Sequence, residues 1–251
     1  GGIAGPAFGG VLSSISLRIP FFVYTITLII AGSVGLIYLS EKHLLHRDKD
    51  PIKAEPIQFR GAIKHFAFQS ALVFAFLTNW VIFGLRNSIL PLFVRDQLHS
   101  SAAVVGYGFG LGASVQTILV IRAGRFSDEK GRKAALYIGT LITSFGILIL
   151  AFATHQWMYL FAMATLGIGG AYLSATPAAI VGDVVKGKIG RVVGVFQMAG
   201  DAGMIVGPLI VGWLADIYDF RTAFAATLAI FSVMLLLTWR LPETRNLQEE
   251  I

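Results

Sequence analysis

Apolar residues run along this chain in long blocks separated by shorter polar stretches, and eight such blocks can be marked. They cover roughly residues 1–16, 21–39, 66–94, 102–123, 134–153, 158–181, 192–215 and 222–239. A half-buried strand alternates apolar and polar side chains with period two and is seldom longer than ten residues. These blocks are longer and do not alternate. A helix that crosses the hydrocarbon core of a bilayer needs about 20 mostly apolar residues, and most of the blocks are of that size. Blocks joined by a few polar residues must fold back on one another as antiparallel neighbours. The pattern predicts an all-α fold, a polytopic transmembrane helix bundle with about eight spans.

Composition agrees. Of the 251 residues 55% are hydrophobic and 14% charged, against about 25% charged in soluble domains. The 28 glycines suit helices that approach closely inside a bilayer. The absence of cysteine excludes disulfides and thiolate metal sites. The net charge of +6 would suggest nucleic acid in a soluble protein, but here the basic residues sit in loops beside apolar blocks. Sixteen Lys and Arg fall at alternate loops and the tail, six of them in 40–65, whereas only Arg18, Arg95 and Arg221 lie in the opposite loops. By the positive-inside rule the even-numbered blocks end in the cytoplasm, as does the C-terminus of an integral multi-pass cell-membrane protein. The chain opens inside an apolar block with no initiator Met, so it reads as a piece of a longer protein. His43 and His46 have a metal-compatible spacing in a solvated loop, and His65, His99 and His155 form no cluster, so no metal and no cofactor are expected.

The polar stretch 124–136 contains Gly124, Asp128, Gly131, Arg132, Lys133 and Leu136 at the spacing Gly-x-x-x-Asp-x-x-Gly-Arg-Lys-x-x-Leu. It reads as a short charged loop between two spans, and it resembles the signature loop of the major facilitator superfamily of secondary transporters. Glu129 departs from that pattern, where a basic residue is usual. A second signal is an internal repeat: Gly1, Gly5, Pro6, Gly10 and Leu12 have the spacing of Gly203, Gly207, Pro208, Gly212 and Leu214. Gly5, Pro6, Gly9 and Gly10 also resemble the helix-five motif of the superfamily's proton-coupled drug antiporters. The tail 241–245 resembles the Pro-Glu-Thr ending that follows its last helix. The resemblance implies a truncated twelve-helix fold holding family helices five to twelve. Residues 1–40 would be the last two helices of the N-terminal half-bundle, 41–65 a cytoplasmic linker, 66–240 the C-terminal six-helix half-bundle and 241–251 a cytoplasmic tail.

The same resemblance implies roles. Asp128 would dock on the cytoplasmic start of the other half's fifth helix, with Arg132 pairing nearby, as a gate; a static turn is the alternative. The helices with Pro6 and Pro208 invite kinks, and the resemblance implies that their glycine faces (Gly5, Gly9, Gly10, Gly203, Gly207) seal against leakage; ordinary small-residue packing overlaps with that reading. Ionisable residues at membrane depth usually face a cavity or a partner. Asp201 lies mid-block with Gln197 on the same helical face, as a proton or substrate group or a structural carboxylate. Asn79, Arg86 and Asn87 read as a polar stripe down one helix, with Arg86 free to meet an anionic substrate, pair with Asp201 or snorkel to the headgroups. Gln116, Tyr172 and Thr176 are further pathway candidates. Asp183 reads as an interfacial ion pair with Lys186 and Lys188. The run Gly106 to Gly112 lies inside a helix, so it is a packing face rather than a phosphate loop. No nucleophile–base pair or carboxylate dyad is present, so an enzyme is not expected. The function expected is proton-coupled efflux of small organic compounds by alternating access, with the lipid bilayer, a small-molecule substrate and protons as partners, no nucleic acid, and a monomer at full length. The alternatives are an uptake symporter or facilitator for sugars or organic acids, and a non-transporting receptor or scaffold on the same fold.

Overall fold

The computed structural model describes residues 16, 18–38, 59–184, 190–241 and 243, in two compact units, Gly1–Glu55 and Pro56–Ile251. In the first unit the described element is α1 (Ile19–Tyr38), the second apolar block. Its Thr25, Thr27 and Ser33 hydroxyls each donate to the carbonyl four residues earlier, which satisfies them without water. The first block, with Gly5, Pro6, Gly9 and Gly10, lies outside the described residues, as do His43, His46, Lys186, Lys188 and most of the 41–65 segment.

The second unit begins with the short α2 (Phe59–Lys64). Six helices long and apolar enough to cross a membrane follow: α3 (Phe66–Asp96), α4 (Ala102–Lys130), α5 (Arg132–Ala151), α6 (Gln156–Val184), α7 (Gly190–Ile217) and α8 (Phe220–Arg240). They correspond to the third to eighth blocks. α4 and α5 continue past their apolar blocks into polar sequence, where Arg, Lys and Glu are good helix formers. The largest correction falls on the stretch 124–136. It is not a loop: α4 runs through it to Lys130 and α5 starts at Arg132, so Gly131 alone breaks the helix. Gly131 has φ 106°, a conformation that favours glycine.

α6 lies between α4 and α5 and also touches α3, α7 runs along α3, and α8 packs on α5 and α7. Tyr159, Met163 and Leu166 of α6 share a buried core with Leu136, Ile147 and Leu150 of α5 and Phe231 and Met234 of α8. Phe93 of α3 meets Phe220 and Phe224 of α8 edge to face, at 5.7 and 5.2 Å between ring centres. Glycines set two of the close crossings. On α4, a Cβ at Gly108 would strike the Tyr159 ring, and one at Gly112 would lie 2.9 Å from the Met163 carbonyl oxygen. On α7, a Cβ at Gly203 would overlap the Phe76 carbonyl, and Gly207 meets the backbone of Trp80 and Gly84. Pro208 sits inside α7 without ending it.

Between Trp80 and Ile89, α3 widens into a π-helix, a departure often found where a helix carries function. The widened turn lies against α7, with Trp80 Nε1 donating to Thr227 Oγ1 of α8 at 3.3 Å. Large apolar side chains cover the outside of the unit, among them Ile118, Ile121, Phe161, Leu209 and Leu236. Exposed Trp157, Trp213 and Tyr218 lie near the ends at which α6 starts and α7 finishes, and exposed Trp239 lies at the end of α8. Aromatic side chains gather in this way at both interfaces of a membrane.

Candidate functional site

The break at Gly131 organises the first of three polar sites. It directs Arg132 back across the turn, so the guanidinium pairs with Asp128 and donates to Ser127 Oγ at 3.1 Å. Its Nε donates to Asp183 Oδ2 of α6 at 2.9 Å. The Arg132 and Asp183 side chains are 14% and 6% exposed, whereas Asp128 is 65% exposed. Glu243, beyond α8, accepts from the backbone N–H groups of Arg132 and Lys133 at 2.9 and 3.3 Å. Those are free amides of the first turn of α5, where the helix dipole favours a carboxylate. Lys133 Nζ then donates to the Trp239 carbonyl at 2.7 Å. The cluster ties α4, α5, α6 and the end of α8 together at one end of the bundle.

This bears on two readings of the sequence. The pairing of Arg132 near Asp128 is present. Asp183 is buried and holds Arg132, and Lys186 and Lys188, the partners the sequence suggests for it, lie outside the described residues. Neither Asp183 as Arg132's partner nor Glu243 as a cap was legible, because 51 and 111 residues separate them from Arg132. The docking of Asp128 on the fifth family helix lies outside the described residues.

A crevice of about 120 Å³ opens between α3, α6 and α7, with Thr78, Asn79, Ser174 and Gln197 as its polar lining and Pro177 and Phe196 among its apolar walls. Gln197 Nε2 donates to Asp201 Oδ1 at 3.1 Å, one turn further along α7. Both side chains are exposed, so Asp201 stands on an open face of α7 rather than in the core of the unit. Asn79 donates to the Ala75 carbonyl at 3.0 Å, leaving its amide oxygen available.

A second, smaller cavity of about 40 Å³ lies deeper, lined by Thr78, Arg86, Gln116 and Thr143 among apolar side chains that include Phe231. Arg86 does not pair with Asp201. It donates to the Phe109 carbonyl of α4 at 3.2 Å and lies over the Phe109 ring, 5.5 Å from its centre. The polar stripe drawn through Asn79, Arg86 and Asn87 is therefore split. Seven residues return to the same face at 3.6 residues per turn, but the i→i+5 bonding of the π segment rotates Arg86 toward α4, and Asn87 is exposed. Tyr172 is packed edge-on against Phe126, and the Thr176 hydroxyl is spent on the Tyr172 carbonyl at 2.7 Å, so neither lines these two cavities. Thr78, Thr143 and Ser174 were missed, since a lone hydroxyl in an apolar helix carries no periodic signal. Among the described residues no group of three or more His, Asp or Glu could hold a metal ion.

Comparison with known proteins gives this geometry a setting. A family model described as Major Facilitator Superfamily matches residues 72–250. Multidrug resistance protein MdtG of Proteus mirabilis (strain HI4320) is 27% identical over 245 residues, covering 95% of this chain and 60% of that protein. The tetracycline resistance protein, class G, of Vibrio anguillarum is 27% identical over 211 residues, covering 83% of this chain and 54% of that protein. The chain thus spans 54–60% of the length of these relatives. Among solved structures, the peptide transporter POT in complex with sulfate superposes with a TM-score of 0.63 at 20% identity, over 69% of this chain and 37% of that one; the likeness is one of fold. With the family match extending over six apolar helices and the signature stretch at Gly131, the chain belongs to the major facilitator superfamily.

Proposed function

We propose that this chain forms the C-terminal part of a secondary transporter that exports small organic compounds by alternating access, with protons as the coupling ion. The observation that carries the reading is the Gln197–Asp201 pair beside the α3–α6–α7 crevice: an ionisable carboxylate at membrane depth next to a polar opening. Transporters of this construction rock two related halves about a midplane site. The half-bundle 66–240 would supply one wall of that site, with Asn79, Gln197 and Asp201 facing the substrate. The repeat between 1–16 and 192–215 supports a second, related half, of which 1–40 is the end and 41–65 the linker. The cluster at Arg132 is the gate in this reading: Asp128, paired with Arg132 yet exposed, would engage the opposite half when the cytoplasmic side closes. The excess of basic residues in the loops at that end supports a cytoplasmic position for it and for the C-terminus. The names of the relatives, a multidrug and a tetracycline resistance protein, favour drugs such as tetracycline as cargo.

The test uses everted vesicles from cells expressing the full-length protein. Tetracycline should accumulate when the vesicle interior is acidified, and release of the proton gradient should discharge it. Asp201→Asn should abolish the gradient-driven component while leaving the protein folded. Gradient-driven loss of tetracycline from the vesicles would instead indicate uptake in the cell, and no movement with any solute would leave only a receptor or scaffold.

A further inference from the structure

On the side of α7 away from the crevice, a wider groove of about 440 Å³ runs between α3, α7 and α8. Two residues along a helix turn the side chain by about 200°, so Ala199, which faces the groove, points away from Gln197 and Asp201. Leu72, Phe76, Ile230 and Val233 line it with Ala199, and no polar side chain is among its lining residues. α7 is parallel to α3, because Gly203 meets Phe76 and Gly207 meets Trp80 and Gly84. α8 is antiparallel to both: Phe224 meets Phe93, Thr227 meets Trp80, and Val233 shares the groove with Leu72. The start of α3, the start of α7 and the finish of α8 therefore lie at one end. Each carries an exposed cation there: Lys64 just before α3, Arg191 on α7 and Arg240 on α8. At 1.5 Å per residue, Arg191 stands about 12 Å along α7 from Ala199, and Arg240 about 10 Å along α8 from Val233. Hydrocarbon of one leaflet is about 15 Å thick, so the groove lies at chain depth when the cations lie at headgroup level. Exposed Trp239, beside Arg240, is a residue type that settles at that level. None of the three cations is in an ion pair among the described residues, and no Asp or Glu occurs in 59–77, 190–200 or 220–240.

We propose that the groove between α3, α7 and α8 is a binding site for an anionic glycerophospholipid, with an acyl chain in the groove and the phosphate among Lys64, Arg191 and Arg240. The wholly apolar lining takes a hydrocarbon chain and offers nothing to a polar solute. Charge selects the headgroup. Basic residues between helices at a membrane surface attract anionic lipid, and a headgroup with an ammonium, as in phosphatidylethanolamine, would meet three like charges and no carboxylate. Phosphatidylglycerol keeps the negative charge uncompensated. The site lies on the opposite face of α7 from Asp201 and does not depend on the direction or coupling of transport.

The experiment titrates the purified full-length protein in detergent with palmitoyl-oleoyl phosphatidylglycerol while thermal unfolding is followed. Lipid bound to the folded state alone stabilises it, so the unfolding midpoint should rise saturably. Arg191→Gln and Arg240→Gln should each raise the lipid concentration at half-effect by about fivefold, and the double variant by about twenty-five-fold. Arg122→Gln removes an exposed cation of α4, which does not border the groove, and should match the native protein. The same chains on an ethanolamine or choline headgroup should bind more weakly by about tenfold or more. Glycerol 3-phosphate, which has the charge without the chains, should give no rise. Phosphatidylglycerol with a diazirine in its acyl chain should label 72–77 and 230–233 on illumination, and Ala199→Phe, which fills the groove, should remove that label while labelling of other helices persists. Equal responses to the three headgroups, a response to glycerol 3-phosphate matching that to the lipid, or an Arg122→Gln effect as large as that of Arg240→Gln would each overturn the assignment. So would a label confined to other helices, or cross-linking of 72–77 to a second copy of this chain in place of lipid.

Discussion

Asp183→Asn is the sharpest perturbation of the cluster at Gly131. Asp183 and Arg132 are 6% and 14% exposed and meet at 2.9 Å, so the pair is buried. Removing one member of a buried pair costs about 3–5 kcal/mol, mostly because the remaining charge is left uncompensated. Two features reduce that figure here. Asn retains an oxygen that can accept from Arg132 Nε, and Arg132 keeps Asp128, whose 65% exposure limits its contribution to about 0–1 kcal/mol. The expected loss is about 2–3 kcal/mol. For a unit of this size 1 kcal/mol moves the midpoint by about 2–4 °C, so the midpoint should fall by roughly 4–12 °C. Thermal unfolding of the detergent-solubilised protein, read by loss of the monodisperse peak after heating, measures it. Asp128→Asn is the exposed control and should cost about 1 kcal/mol at most. Arg132→Gln completes a double-mutant cycle with Asp183→Asn, and the double variant should be less destabilised than the sum by about 1 kcal/mol or more. Equal losses for Asp183→Asn and Asp128→Asn, or simple additivity in the cycle, would refute the claim that Arg132 is held chiefly by Asp183.

Three further perturbations probe other parts of the argument. Gly131→Ala would force a side chain into φ 106° and into the Glu243 carboxylate; about 1–3 kcal/mol should be lost by the strain alone, visible as a lower unfolding midpoint. Gly203→Ala, whose Cβ would overlap the Phe76 carbonyl, should lose about 1–3 kcal/mol through overpacking, whereas Gly106→Ala, with nothing within 4 Å, should be neutral or gain up to about 1 kcal/mol from helix propensity; equal midpoints for the two would refute the α3–α7 crossing. Asp219 caps α8 by accepting from the Thr222 N–H at 2.6 Å, and hydrogen bonding from Thr222 holds its carboxyl below the usual range. A lowered folded-state pKa gives stability that is present above the unfolded pKa and lost as pH falls through the folded one. Asp219→Ala should therefore lower the midpoint at neutral pH, and the gap from native should close in acid below the ordinary carboxylate range; a gap that persists there would exclude the cap.

Much of this molecule follows from short-range pattern. Blocks of about 20 apolar residues have one solution in lipid, a helix that satisfies its own backbone, so six spans and their order were readable from the chain, as was the family from the spacing around Gly131. The glycines at 203 and 207 were readable as a packing face, because only small residues let backbones touch. Tertiary structure decided what the polar side chains meet. The partner of Arg132 is 51 residues away on α6, and the cap on its helix is 111 residues away; no local period encodes either. Tertiary structure also decided where Arg86 points. A seven-residue spacing from Asn79 promises a shared face only while the helix keeps 3.6 residues per turn, and the π segment that breaks this rule lies where Gly84 meets Gly207 of another helix, 2.9 Å from a Cβ that glycine lacks. The chain by itself determined that the apolar blocks are helical and prefer lipid, since both depend on local bonding and transfer energy, but not that the helices run on through 124–136 with Gly131 alone between them. Which polar groups share a cavity depends on contacts between helices distant in sequence, and those exist only in the folded bundle.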